Sequence, residues 1–470
     1  MLRTLGVHKA ANPTAQQQLE GWIKAIDACC DTFNRSALGQ NHHMNSHMVA
    51  PKIRGVLTDH AADQKRFHEL LKQWKQGCDR EVRALHKLKT MSVEEQLAAL
   101  TSHLDNATRS ISDWRTLPSD KQAALMHDAW FALAIKIGEA EFQKLSEETQ
   151  FDVDFLAWAG CCMHKELNAV KGGVSQMALA WNTNGLTPPI ALNNKSATEW
   201  AAIFHNEKAP RGAVKLASLA GALFKNKDDK KGYQKTVDNY FEKTFGYSNR
   251  FPDTSNTRYG SYCDAATELI LHTGTYIKLM ETLRDAKVAL EFTNIESNLF
   301  RGLHDIPTLT ELAVMALYAQ AIGRPYLRTV RSTALNALDL GSFHNRVKHC
   351  QAIIEEPELL IAPDASPSRG TLDGGLWDRP ELMYLLWLSH KLPNLRTVLV
   401  AFFTGALRSW ERFTSEFDAG GTIAQATQKQ RQSAWVSPTN DISEGSLGQC
   451  RQMLRRAPTM TDNQINARMM

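Results

Sequence analysis

Apolar and polar positions follow two different rhythms along the first 75 residues. Leu19, Trp22, Ile23 and Ile26 fall at i, i+3, i+4 and i+7, which predicts a helix over 14–33. "KIRGVLT" (52–58) is a short apolar run with alternating neighbours, the mark of a buried strand. Phe67, Leu70, Leu71 and Trp74 then restore helical spacing, predicting a helix over 61–76. "LRTLGV" (2–7) reads as a further short strand. Strand, helix, strand, helix is the order of an α/β layer.

Beyond residue 76 the pattern is helical nearly throughout. Ser or Thr followed three positions later by Glu or Gln marks helix starts at "SVEE" (92–95), "SDKQ" (119–122), "SATE" (196–199) and "TLTE" (308–311). One apolar run, "FDVDFLAWAGCCMH" (151–164), is compatible with a strand. The stretches 246–262 and 362–380 are loops by their turn residues, and the polar tail after Pro458 is predicted to fray. The expected class is therefore α+β and mostly helical, a partial α/β core carrying a large all-helical insertion. Core segments are expected at 1–84, 151–168 and 437–470, with helical insertions at 85–150 and 169–436.

Composition adds little constraint. The 470 residues are 43% hydrophobic with a formal net charge of +4, too mild a bias to announce nucleic acid by itself. The densest basic run, "KNKDDKKGYQK" (225–235), reads as a solvated loop. Eight cysteines, including the adjacent pairs Cys29-Cys30 and Cys161-Cys162, show no disulfide framework and favour a reducing compartment. The first residues lack the apolar centre of a signal peptide, and stretches such as "TVLVAFFTGAL" (397–407) are too short to span a bilayer. An intracellular protein without a membrane partner is expected.

Three separated motifs carry candidate chemistry. Asp59 in "LTDHA" falls at the C-terminal end of a predicted strand, where catalytic groups gather in α/β sheets. The same Asp equally suits a helix N-cap. "CCMHKELN" (161–168) places Cys161-x-x-His164 directly after another predicted strand, as a functional pair or as packed side chains. In "SPTNDISEGSLGQCRQMLRR" (437–456), Glu444 opens an amphipathic helix, and Asp441 with Glu444 also has the spacing of a capping box. Lys165 and Lys171, with Gly172-Gly173, are either phosphate contacts or solvated surface lysines. His42, His43 and His47 lie in a polar loop without metal-site spacing.

These motifs, with the phrases "TDHAADQK", "WAGCCMHKELNAVKGG", "LHDIPTLTELAVMALYAQAI", "LLIAPDASP" and "LVAFFTGALRSWERFTSEF", resemble the DDE/D transposases of eukaryotic cut-and-paste elements. The likeness is to the Mutator-like group and to transposon-derived proteins of mushroom-forming fungi. It implies a ribonuclease-H-like core in which Asp59 matches the second Asp, Cys161 and His164 the Cys-x-x-His pair, and Glu444 the last carboxylate. It also implies Mg²⁺ or Mn²⁺ held by Asp59 and Glu444, DNA as partner, a nuclear location and a homodimer as a possible assembly.

The chain departs from that pattern at its start, where the family's N-terminal DNA-binding module is expected to be missing as well as its first strand. The family's first strand and first Asp should lie before residue 1, and Asp27 and Asp31 sit inside the predicted helix at 14–33. The first Asp bridges both ions in a two-metal site, so without it neither ion is fixed. An N-terminally truncated, inactive relative is the expectation. Two other readings stand beside it. One is a helical interaction or scaffold protein whose motifs are caps. The other is a metal hydrolase of another fold, for which no further ligand stands out.

Overall fold

Both helical rhythms and the strand between them feed one core. Leu19, Val56, Phe67, Leu71, Leu156 and Trp158 are buried together, with Ile23, Ile53, Leu70 and Trp74 packed at their edge. The computed structural model describes residues 14–108, 117–193, 211–226, 232–254, 260–332, 335–388 and 392–469. It is mostly helical, 70% helix against 2% strand, which makes the helical part the architecture and the sheet a local device. The expected strand at 2–7 and capping box at 196–199 lie outside the described residues.

The chain divides into two compact units, residues 1–159 with 336–338 and 422–470, and residues 160–335 with 339–421. The stretch 85–150 belongs with the first unit rather than standing apart from it.

In the first unit, α1 (Ala15–Asn34) is followed by a short α2 (Ser46–Val49), β1 (Gly55–Thr58) and α3 (Ala62–Leu88). Then come α4 (Val93–Thr108), α5 (Ser119–Phe142), α6 (Glu147–Asp154) and β2 (Ala157–Gly160), whose last residue passes into the second unit. The two strands form one sheet, and the Ala157 N–H donates to the Arg54 carbonyl at 2.9 Å. Their first residues are thus neighbours and the strands run the same way, which the long helical crossover between them permits. The strand begins at Gly55 rather than 52 because Ala50–Lys52 is a 3₁₀ turn built on Pro51.

Helix α3 runs to Leu88, well past the end predicted for it. The hydrophobic period stops near Trp74 because interior positions of the second half carry polar residues. Lys75 is buried and donates to the carbonyls of Pro51 and Val153 at 3.0 and 2.6 Å. Buried Arg80 bonds Asp154 twice, at 2.7 and 3.0 Å, and Glu139 at 2.9 Å, while its guanidinium lies 3.4 Å from the Phe142 ring centroid. Satisfied cations thus stand where a pattern reading expects apolar side chains.

The capping signals divide similarly. Ser92 and Glu95 form a reciprocal box at 2.8 and 3.2 Å. At 119–122 the cap is Pro118, with no side-chain bond. At 308–311 the helix starts three residues early, with Asp305 rather than Thr308 as the cap, accepting the Thr308 N–H. The run 151–164 is extended only at Ala157–Gly160, between α6 and the next helix. The polar tail forms a helix at Asp462–Met469.

The second unit is helical, including α7 (Cys162–Thr183) and α8 (Leu395–Phe413). These two cross at Gly172 and Gly405: a Cβ on Gly405 would stand 2.2 Å from the Gly172 carbonyl oxygen. Gly172 and Gly173 are therefore crossing residues, not a flexible phosphate flank. Ile306–Val330 is continuous through a π-turn at Ala319–Gly323 and is long and apolar enough, by length and composition, to cross a membrane. Of its most apolar 18-residue window, 83% is buried within the molecule, so this core uses it.

Candidate functional site

Asp59 follows β1 at the strand end, as expected, but it is not the helix cap. The N-cap of α3 is Ala61, and Asp59 Oδ1 accepts the Ala61 N–H at 2.9 Å, closing the turn before the helix. Beside it the Trp158 indole N–H donates to Thr58 Oγ1 at 2.9 Å, and the Lys65 ammonium lies 5.5 Å from the Trp158 ring centroid.

The end of the chain returns to this sheet. Val436 N–H donates to Asn336 Oδ1 at 3.1 Å, the Val436 carbonyl accepts the Ala337 N–H at 2.8 Å, and Val436 Cγ2 presses on Gly55 of β1. The next helix, Asp441–Arg456, carries Glu444 in its first turn. Its N-cap is Asn440, so the proposed Asp441 box does not form, and Glu444 Oε1 instead accepts from Asn440 Nδ2 at 3.3 Å.

Cys161 is the buried N-cap of α7, and its carbonyl accepts the N–H groups of both His164 and Lys165 at 3.1 Å. His164 is half-buried on the first turn. These two belong to the second unit, whereas Asp59 and Glu444 belong to the first. Among the described residues, no group of three or more His, Cys, Asp or Glu side chains is disposed to hold a metal ion. Asp59 and Glu444 each accept a local hydrogen bond, and among the described residues they belong to no group that would hold two divalent ions.

Lys165 is neither a surface lysine nor a phosphate contact. It is fully buried and ion-paired with Glu416, whose Oε1 also accepts the Gly160 N–H at 3.3 Å. Its ammonium lies 4.7 Å from the Phe417 ring centroid. A DNA phosphate has no access to it. Lys171 is exposed.

The interior face of α7 is displaced one residue from the motif singled out in the sequence: Cys162 and Lys165 point inward, rather than Cys161 and His164 together. Cys162 Sγ lies 4.0 Å from His344 Nε2, which pairs with the Tyr326 hydroxyl at 3.0 Å. His344 Nδ1 pairs with the Leu340 carbonyl at 3.0 Å and must carry the proton, leaving Nε2 to accept from Tyr326. Burial raises both the Cys162 thiol and the Tyr326 phenol, so each stays protonated and neither is a nucleophile. Next to Lys165, Glu166 is also fully buried; burial, then the charge of Asp264, push its carboxyl to about 8. The signal for this network was present in the 3.6-residue recurrence of 162, 165, 166, 169, 170 and 173. Lysine and glutamate on that face concealed it.

Compared with protein-family models, with curated proteins and with solved structures, the chain has no match.

Proposed function

We propose that this chain is a transposase-derived protein with a ribonuclease-H-like remnant and an incomplete acidic site, a DNA-associated protein of the nucleus that neither cleaves nor joins strands. The observation that carries the reading is the return of Val436 to Gly55. It brings the approach to the Glu444 helix against the strand that ends at Asp59, as the resemblance implies for carboxylates separated by a long helical excursion. Among the described residues no third carboxylate joins Asp59 and Glu444 in a metal-holding group, which supports inactivity, because two divalent ions need a bridging ligand to be held about 4 Å apart. Incubating the purified chain with labelled duplex DNA and Mg²⁺ or Mn²⁺ should give no cleavage. Metal-dependent cleavage abolished by Asp59→Asn would overturn inactivity. Fluorescence anisotropy should detect duplex binding that weakens between about 50 and 200 mM salt.

A helical interaction protein is the second reading. It is favoured by the apolar side chains that the returning segment leaves outside, Trp435 and Ile442 being 52% and 54% exposed. Absence of DNA binding at low salt would select it.

A further inference from the structure

A cleft of about 540 Å³ opens in the first unit between α2, α3 and α5. That volume lies within the roughly 300–1,000 Å³ of small-molecule sites. Its walls are Trp74, Phe131 and Ile135, and Phe131 is left 42% exposed. Its floor is Gly77, in the interior of a 27-residue helix. Glycine there costs the helix about 1 kcal/mol relative to alanine. Packing does not require it, because a Cβ on Gly77 would meet no atom within 4 Å. What its small size provides is the open floor.

The polar groups of the cleft have one character. The Arg80 guanidinium is committed to Asp79, Asp154 and Glu139. Gln76 Nε2 donates to Asp154 at 2.9 Å, which leaves the amide oxygen as the free acceptor. His47 Nδ1 is paired with the Glu81 carboxylate. Hydrogen bonds from Gln143 and Arg80 hold the Glu139 carboxyl below its ordinary range, so it is ionised at neutral pH while 45% exposed at the rim. The cleft thus combines aromatic walls with acceptors and a rim carboxylate, Glu139, whose Oε1 also accepts from Gln143 and whose Oε2 accepts from Arg80, a single guanidinium shared among three carboxylates.

From this geometry we propose that the cleft between α3 and α5 is a binding site for an arylalkylamine, its ring against Trp74 and Phe131 and its ammonium at Glu139. The proposal is independent of the transposase reading.

The test is calorimetry on the full chain with two probes that share a ring and differ in charge, tryptamine and indole-3-propionate. Tryptamine should bind with Kd below about 1 mM and at least ~10-fold tighter than the anion. Gly77→Leu, which fills the floor, should abolish binding without lowering the melting temperature, and Glu139→Gln should bring the two probes within about threefold of each other. If Gly77→Leu fails to fold, Phe131→Ala serves as the wall variant, with about tenfold weaker tryptamine binding expected. Equal or reversed preference between the probes, no tryptamine binding at millimolar concentration, or full binding in the floor or wall variant would overturn the assignment.

Discussion

Val436 Cγ2 stands 2.5 Å from the point that a Cβ on Gly55 would occupy, so the returning end of the chain rests directly on the first residue of β1. Gly55→Ala should therefore force the two apart and cost about 1–3 kcal/mol by overpacking. Val436→Ala in the same chain should recover part of that loss, a coupling read from urea unfolding of the single and double variants. Strictly additive losses would show that the contact does not form.

The buried pair of Lys165 and Glu416 makes an opposite demand. Lys165→Met strands the Glu416 carboxylate, whose Oε2 already has no hydrogen-bond partner, and should destabilise by about 3–5 kcal/mol. Removing both charges, as Lys165→Met with Glu416→Leu, should cost clearly less than the single change. A single variant as stable as the parent in thermal unfolding would refute the burial of this pair.

Glu166 sets a pH dependence with a definite sign. The folded protein holds its proton to about 8, whereas the ordinary value is 4.5. Its contribution is fully present below about 4.5 and is lost as pH rises through that window to about 8. Glu166→Gln should match the parent near pH 4.5 and exceed it by about 2–5 kcal/mol at pH 8. The stability difference between the two proteins, measured across that range, checks the slope; a flat difference contradicts it.

Lys75 acts over a different window. Burial, then the charge of Arg54, lowers its ammonium to about 8 from 10.5. The unfolded chain binds the extra proton between those values, so stability rises as pH climbs from about 8 to 10.5 and is penalised below. In Lys75→Met the two carbonyls of Pro51 and Val153 lose a donor at every pH, a constant cost. The pH-dependent part should favour the variant by about 3 kcal/mol at pH 7 and vanish near pH 10.5. Denaturant unfolding at both pH values separates the two parts.

How much was legible follows from where polarity and burial agree. Helix α1, the strand ending at Thr58 and the first half of α3 were readable because Leu19, Val56, Phe67 and Leu71 are both apolar and buried. The second half of α3 was not, because Lys75 and Arg80 occupy interior positions that only distant carbonyls and carboxylates make tolerable. The same reason hid the buried network that follows β2. Cys161 and His164 were chosen for their chemistry, while the inward face carries Cys162, Lys165 and Glu166. Glycines 172 and 173, named with the lysines as possible phosphate contacts, lie where two helices cross.

By itself, the amino-acid order determined the local elements, because side-chain periodicity and capping act within a few residues. It also located Asp59 at a strand end and Glu444 in a first helical turn. Only the tertiary structure decided which polar groups are buried in pairs, that residue 436 returns to residue 55, and that the floor of the cleft at Gly77 stays open. Those outcomes depend on desolvation and contact between positions far apart in the chain, quantities that no local pattern encodes.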